Sequence, residues 1–175
     1  MILIIFLFPI ESYLCNLYSV YNNISIGFSL EKGHPNQIQP NKRPYHTIIP
    51  GMITFNDEEN DLYATISNMG GFMQPQGHLQ LTVSMVGCGL DPQRAIDLPR
   101  FCIPDGTKTG VVFMEDGVDG RTLEKLRALG HNIVGPVSGY DRSVFGKAQI
   151  IYKDRSTGVL WAGSDGRGDG CAIGY

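Results

Sequence analysis

An α+β domain with a largely antiparallel sheet is what this sequence predicts, and three observations lead there. Short β-branched runs come first, helical patterns follow, and further strands close the chain, so strands and helices do not alternate one to one. Twenty-two glycines and ten prolines, 32 of 175 residues, punctuate the chain too often for a helical bundle. Hydrophobic residues at 42% and charged residues at 18% supply a core and exclude a chain that is disordered throughout. At this length the expectation is one domain.

The elements follow in order. The opening MILIIFLFPI is apolar but too short to span a membrane, which takes about 20 residues. It has no basic start of the kind a signal peptide shows, and Glu11, Ser12 and Asn16 interrupt any extension. It is read as a buried strand or a non-native start. That favours a cytoplasmic location and leaves a signal or anchor open. Residues 31–46 are polar with three prolines, a surface loop. Thr47–Phe55 and Leu62–Asn68 read as a strand hairpin around the acidic turn 56–60. Gly70-Gly71 precedes a helix from Gln76 to about Val86, with Leu79, Thr82, Val83 and Val86 at helical spacing and Gly87 and Gly89 as stops. Asp91-Pro92 starts a second helix as N-cap and first-turn proline, and Pro99 ends it. Val111–Glu115 is a strand. Asp119 caps a third helix whose Leu123, Leu126 and Leu129 form one face, closed by Gly130. Lys147–Lys153 and Val159–Ala162 form a second hairpin.

Several function classes are excluded. A net charge of −3 and scattered Lys and Arg give no nucleic-acid footprint. Cys15, Cys88, Cys102 and Cys171 form no close pair, and His34, His46, His78 and His131 lie far from them, so neither a metal nor a disulfide framework is expected and the thiols read as reduced and structural. No cofactor motif is present: there is no P-loop, no HExxH helix and no GxSxG elbow. Ser164-Asp165 and Asp169 lack a placed histidine for a serine triad. Arg167-Gly168-Asp169 reads as a glycine-rich turn rather than an adhesion motif, and Asn23-Ile24-Ser25 is a glycosylation sequon relevant only to a secreted chain. Two places remain. Bare amides at Gly70-Gly71 can face a developing negative charge, or can merely make a tight strand-to-helix connection. His46-Thr47 can hydrogen-bond a ligand, or can be an ordinary strand edge.

A set of blocks takes the reading further: Pro40-Asn41-Lys42-Arg43-Pro44 with His46-Thr47; Gly70-Gly71; Asp91-Pro92-Gln93 with Ala95, Asp97, Pro99, Arg100 and Phe101; Gly130-His131; and Gly163-Ser164-Asp165 through Gly174-Tyr175. In this order and spacing, from about Asn22 to the last residue, they resemble the small-subunit part of the γ-glutamyltranspeptidase family. The resemblance implies an incomplete portion of the αββα layered fold of N-terminal-nucleophile hydrolases, with residues 22–175 as its C-terminal part and residues 1–21 unassigned. The wording around Tyr45–Gly51 and Gly70–His78 is closer to the acylase-like branch.

The family's chemistry is attack by an N-terminal threonine, freed by autocleavage, whose own amine acts as base. Gly70 and Gly71 then take the oxyanion role, worth about 3–4 kcal/mol per donor. His46 and Thr47 take the places of two serines that hold the γ-glutamyl α-carboxylate; Thr47 keeps the hydroxyl and His46 does not. The implied substrate is a γ-glutamyl peptide such as glutathione, or a related acyl amide. No threonine precedes Thr47. The expectation is therefore a portion without its nucleophile, inactive alone and needing the missing large-subunit half or a partner chain. A subunit completed by a separate chain and a non-catalytic binding module are the alternatives.

Overall fold

The structure is a computed structural model that describes residues 28–42, 47–56, 61–108 and 110–174. The opening apolar run, Cys15, the sequon, His46 and most of the acidic turn lie outside the described residues. The chain divides into two units between Ile48 and Ile49. The described part of the first is a looped segment with one parallel bridge, Ser29 to Gln37. Ser29 N–H donates to Asn36 O and Ile38 N–H to Ser29 O, at 2.8 and 2.9 Å. These turns are the proline-rich surface loop the sequence predicts.

The second unit holds two sheets. Strands β1 (Gly51–Thr54), β2 (Leu62–Met69), β6 (Lys147–Lys153) and β7 (Leu160–Ser164) form an antiparallel sheet in the order β1-β2-β6-β7. Both predicted hairpins are present in it. Strand β1 is much shorter than the run from Thr47, because Pro50 has no N–H to give a ladder and 47–50 stay exposed. The other sheet, β3 (Phe101–Cys102), β4 (Val112–Glu115) and β5 (Ile133–Val137), pairs β3 antiparallel and β5 parallel to β4. The sequence reading missed β3 and β5. Gly135 and Pro136 in β5 argue against a strand, yet β5 is an edge, where a missing N–H can face away from the ladder.

Helix α1 (Met73–Thr82) continues into a π-helical turn over Val83–Gly87; α2 is Pro92–Asp97 and α3 is Gly120–Ala128, with a 3₁₀ helix at Gly139–Phe145. Both predicted caps form: Asp91 Oδ1 accepts from Arg94 N–H at 2.9 Å and Asp119 Oδ2 from Thr122 N–H at 3.2 Å. Two faces need correction. On α1 the buried row is Met73, Gly77, Leu81 and Met85, spaced by four, while Leu79, Val83 and Val86 are exposed. The apolar side chains on α1 lie on both faces, so periodicity alone did not say which one packs. On α3 Leu123 is buried but Leu129, in the C-cap position, is exposed.

The main core joins β2 and β6 to α1 and α2 through Ala64, Ile66, Leu81, Met85, Ala95, Ile96, Ala148 and Ile150. A smaller core of Met73, Cys102 and Phe145, with Phe113, Val137 and Val144 against it, lies under the start of α1. Cys102 is the one described thiol that is buried, and burial pushes its pKa up; Cys88 and Cys171 are exposed, against the expectation of structural thiols. Two glutamines of α1 complete β3. Gln80 accepts from Phe101 N–H at 2.9 Å and donates to Phe101 O at 3.1 Å; Gln76 does the same for Ile103, at 2.8 and 3.0 Å. Four residues apart, they stand on one helix face and replace a strand partner for a two-residue strand.

Candidate functional site

Strand β2 runs into α1 through Gly70 and Gly71, with φ of +136° and +62°. An L side chain at either would be strained, which is the local reason for both glycines. Gly70 also touches the backbone of Gly146: a Cβ on Gly70 would stand 3.1 Å from Gly146 Cα. Beside Gly71 the space where a Cβ would point is open. The two carbonyls are turned into the helix, Gly70 O accepting from Met73 N–H and Gly71 O from Gln74 N–H, both at 3.1 Å. Among the described residues no hydrogen bond engages either glycine amide. The turn sits at the N-terminal end of a ten-residue helix whose first turn carries no acidic residue. Helix dipole and free amides there both favour negative charge. Buried Met73 holds the start of α1 in the smaller core.

Behind this turn lies a buried ionic cluster that the sequence reading did not assemble. Arg100 is 2% exposed; its Nη2 pairs with Asp165 Oδ2 at 2.8 Å and donates to Ile96 O, while Nη1 donates to Asn68 Oδ1 and Phe145 O, both at 3.1 Å. Arg167 grips Glu115 with two hydrogen bonds, Nε to Oε1 at 2.7 Å and Nη2 to Oε2 at 2.6 Å, and pairs with Asp165 Oδ1 at 3.0 Å. Half-exposed Arg142 adds a third cation on Glu115 Oε1 at 2.5 Å. Burial pushes both carboxyls up, but their partners outweigh it. For Glu115 these are Arg167, Arg142 and the Arg100 amide; for Asp165 they are the Arg100 charge and the amides of Arg167 and Ala148. Both stay below the usual carboxylate range. The same cluster disposes of the Arg-Gly-Asp motif as an adhesion signal, because the Arg167 side chain is 1% exposed.

Of the residues singled out from sequence, Gly70 and Gly71 form one turn in the second unit. Thr47 is exposed and belongs to the first unit, and His46 is outside the described residues. Among the described residues no group of three or more His, Cys, Asp or Glu is placed to hold a metal ion. Asn68, Glu115 and Asp165 were missed as a set with Arg100 and Arg167. Lone charged residues in apolar or glycine-rich surroundings were the signal available, but their pairing spans up to 65 positions of sequence, from Arg100 to Asp165.

A family model described as Gamma-glutamyltranspeptidase matches residues 17–175. The chain is 37% identical over 151 residues to a glutathione hydrolase-like proenzyme of Bacillus subtilis, covering 84% of this chain and 27% of that protein. It is 29% identical to an oxamate amidohydrolase proenzyme of Klebsiella pneumoniae, covering 89% of this chain and 29% of that one. Among solved structures it superposes on a cephalosporin acylase from Bacillus halodurans with a TM-score of 0.71 and 38% identity, over 87% of this chain and 27% of the acylase chain. The chain thus spans under a third of the length of these relatives.

Proposed function

The chain belongs to the gamma-glutamyltranspeptidase family, with the layered α+β fold of N-terminal-nucleophile hydrolases, and on that premise we propose that it is the C-terminal part of an amide hydrolase or acyltransferase. In this reading Gly70 and Gly71 present their amides to the oxyanion formed when a threonine attacks an amide carbonyl. The observation that carries it is the diglycine turn itself: positive φ at both residues, carbonyls committed to the helix, amides left unengaged at a helix N-terminus. The threonine comes from outside these residues, since none precedes Thr47. Precursor processing is supported by the proenzyme names of two relatives.

Thr47, with His46 before it, is proposed to bind the acyl end of the substrate. With histidine where a second hydroxyl would stand, a γ-glutamyl α-carboxylate loses one of its two hydroxyl donors. The names of the relatives span a glutathione hydrolase-like protein, an oxamate amidohydrolase and a cephalosporin acylase. They support an acyl amide substrate without fixing its acyl group.

The test is a chimera in which residues 28–175 replace the matching part of the Bacillus subtilis relative. Gly71→Ala strains an L residue at φ +62°, so it lowers stability by about 1–2 kcal/mol whatever the function. The oxyanion role adds a fall in kcat of about a hundredfold per folded molecule, with KM little changed, because the interaction is completed in the transition state. Normal turnover per folded molecule ends the oxyanion reading.

A further inference from the structure

Asn68 lies two residues before the diglycine turn and is 1% exposed. Its surroundings are built for a carboxamide. A Cβ on Gly77 of α1 or on Gly146 would overlap the Asn68 side chain, so two glycines make room for it. Its Oδ1 accepts from Arg100 Nη1 at 3.1 Å, and its Nδ2 donates to Met69 O at 3.2 Å. Arg100 can only donate, which settles which end of the carboxamide faces it and leaves the amino group for Met69. Met69 is the residue bonded to Gly70. The same Nη1 of Arg100 also holds Phe145 O, the carbonyl just before Gly146, whose Cα packs on Gly70. One buried guanidinium therefore fixes both walls of the turn, one of them through Asn68.

We propose that Asn68 is a positioning residue for the Gly70-Gly71 turn: Arg100 orients its carboxamide, and its Nδ2 holds the Met69 carbonyl so that the two glycine amides stay unengaged by the protein. This rests on the oxyanion reading for its catalytic meaning, but the positioning itself is measurable without turnover. Nothing in the sequence motif marks Asn68, because its partner lies 32 residues away.

The experiment is residue-resolved hydrogen exchange by NMR on the full chain, comparing wild type with Asn68→Asp and Asn68→Ala. The reporters are the Met73 and Gln74 amides, whose bonds to Gly70 O and Gly71 O close the turn. The references are the Ile150 and Ile151 amides in the middle of the antiparallel sheet. Asn68→Asp keeps an acceptor for Arg100 but cannot donate to Met69 O; Asn68→Ala loses both bonds. The expected result in both variants is exchange about tenfold faster at Met73 and Gln74, with Ile150 and Ile151 within about twofold of wild type, and shifted Gly70 and Gly71 resonances. If alanine at this buried site prevents folding, the aspartate variant carries the test. Unchanged reporters, or reporters that rise only in step with the references, overturn the proposal. So does a rise in Asn68→Ala alone, since filled space rather than the hydrogen bond would then hold the turn. A Gly71 variant with normal turnover per folded molecule would remove the oxyanion reading and leave this exchange result standing, so the two failures are separable.

Discussion

Asp165 is bonded on both oxygens: Oδ1 accepts from Arg167, Oδ2 pairs with Arg100, and two backbone amides complete the shell. Such a carboxylate contributes less through net attraction than through what its removal leaves behind. Asp165→Asn would leave the Arg100 guanidinium with Asn68 and backbone carbonyls but no carboxylate partner, and Arg167 with Glu115 alone, so a loss of about 3–5 kcal/mol in chemical denaturation is expected. Glu115→Gln should cost about as much, because Arg142 loses its carboxylate partner and Arg167 keeps only Asp165. Surface pairs behave otherwise. Arg94–Asp91 at 3.7 Å is well exposed, and Arg94→Ala should change stability by less than about 1 kcal/mol.

At the scale of elements, α1 separates hydrophobicity from burial. Leu81 and Met85 are each 1% exposed, whereas Leu79 and Val83 are 60% and 53% exposed. Leu81→Ala should cost about 2–5 kcal/mol in a thermal or urea melt, and Leu79→Ser less than about 0.5 kcal/mol. Equal losses would mean that the buried face has been placed wrongly. Helix α2 depends on its cap in a similar way: Asp91→Ala removes the acceptor for Arg94 N–H and should cost about 1 kcal/mol. Strand β3 depends on its glutamines. Gln80→Leu is close in size but leaves Phe101 N–H and O without their partners, so it should destabilise the chain although it adds apolar surface.

For the whole molecule, the buried carboxylates predict the direction of the acid response. Glu115 and Asp165 have folded pKa values below their ordinary ones, so at low pH the unfolded chain binds more protons than the folded one. Their contribution is fully present above the unfolded values near 4 and is lost as the pH falls through the folded values. Melting temperature should therefore be flat from about pH 8 to 5 and drop below about pH 4. The Asp165→Asn variant should start lower and show a shallower acid drop. At this scale a functional expectation also applies. With no threonine ahead of Thr47, the purified 175-residue chain should release no product from a γ-glutamyl anilide or a cephalosporin side-chain amide. Turnover that co-purifies with the folded chain would overturn the assigned source of the nucleophile.

Local chemistry was legible in the sequence wherever cause and effect lie within a few residues. The diglycine turn, the Asp91 and Asp119 caps, the glycine stop at Gly87 and the pairing of both antiparallel hairpins depend on backbone conformation and short-range hydrogen bonds, and they form as the residues suggest, with β1 shorter than its run. The ordered blocks from Pro40 to Gly174 carried the family as well. Tertiary structure alone decided which side of α1 is buried, since both sides carry apolar residues and only contact with β2 and β6 distinguishes them. It also decided that β5 is a strand despite Gly135 and Pro136, because an edge place beside β4 tolerates what a central place does not. Above all it decided the roles of Asn68, Arg100, Glu115, Asp165 and Arg167. A buried charge is stable only with its partners around it, and those partners come from β2, the connection between α2 and β3, β4 and the segment after β7, which folding alone brings together.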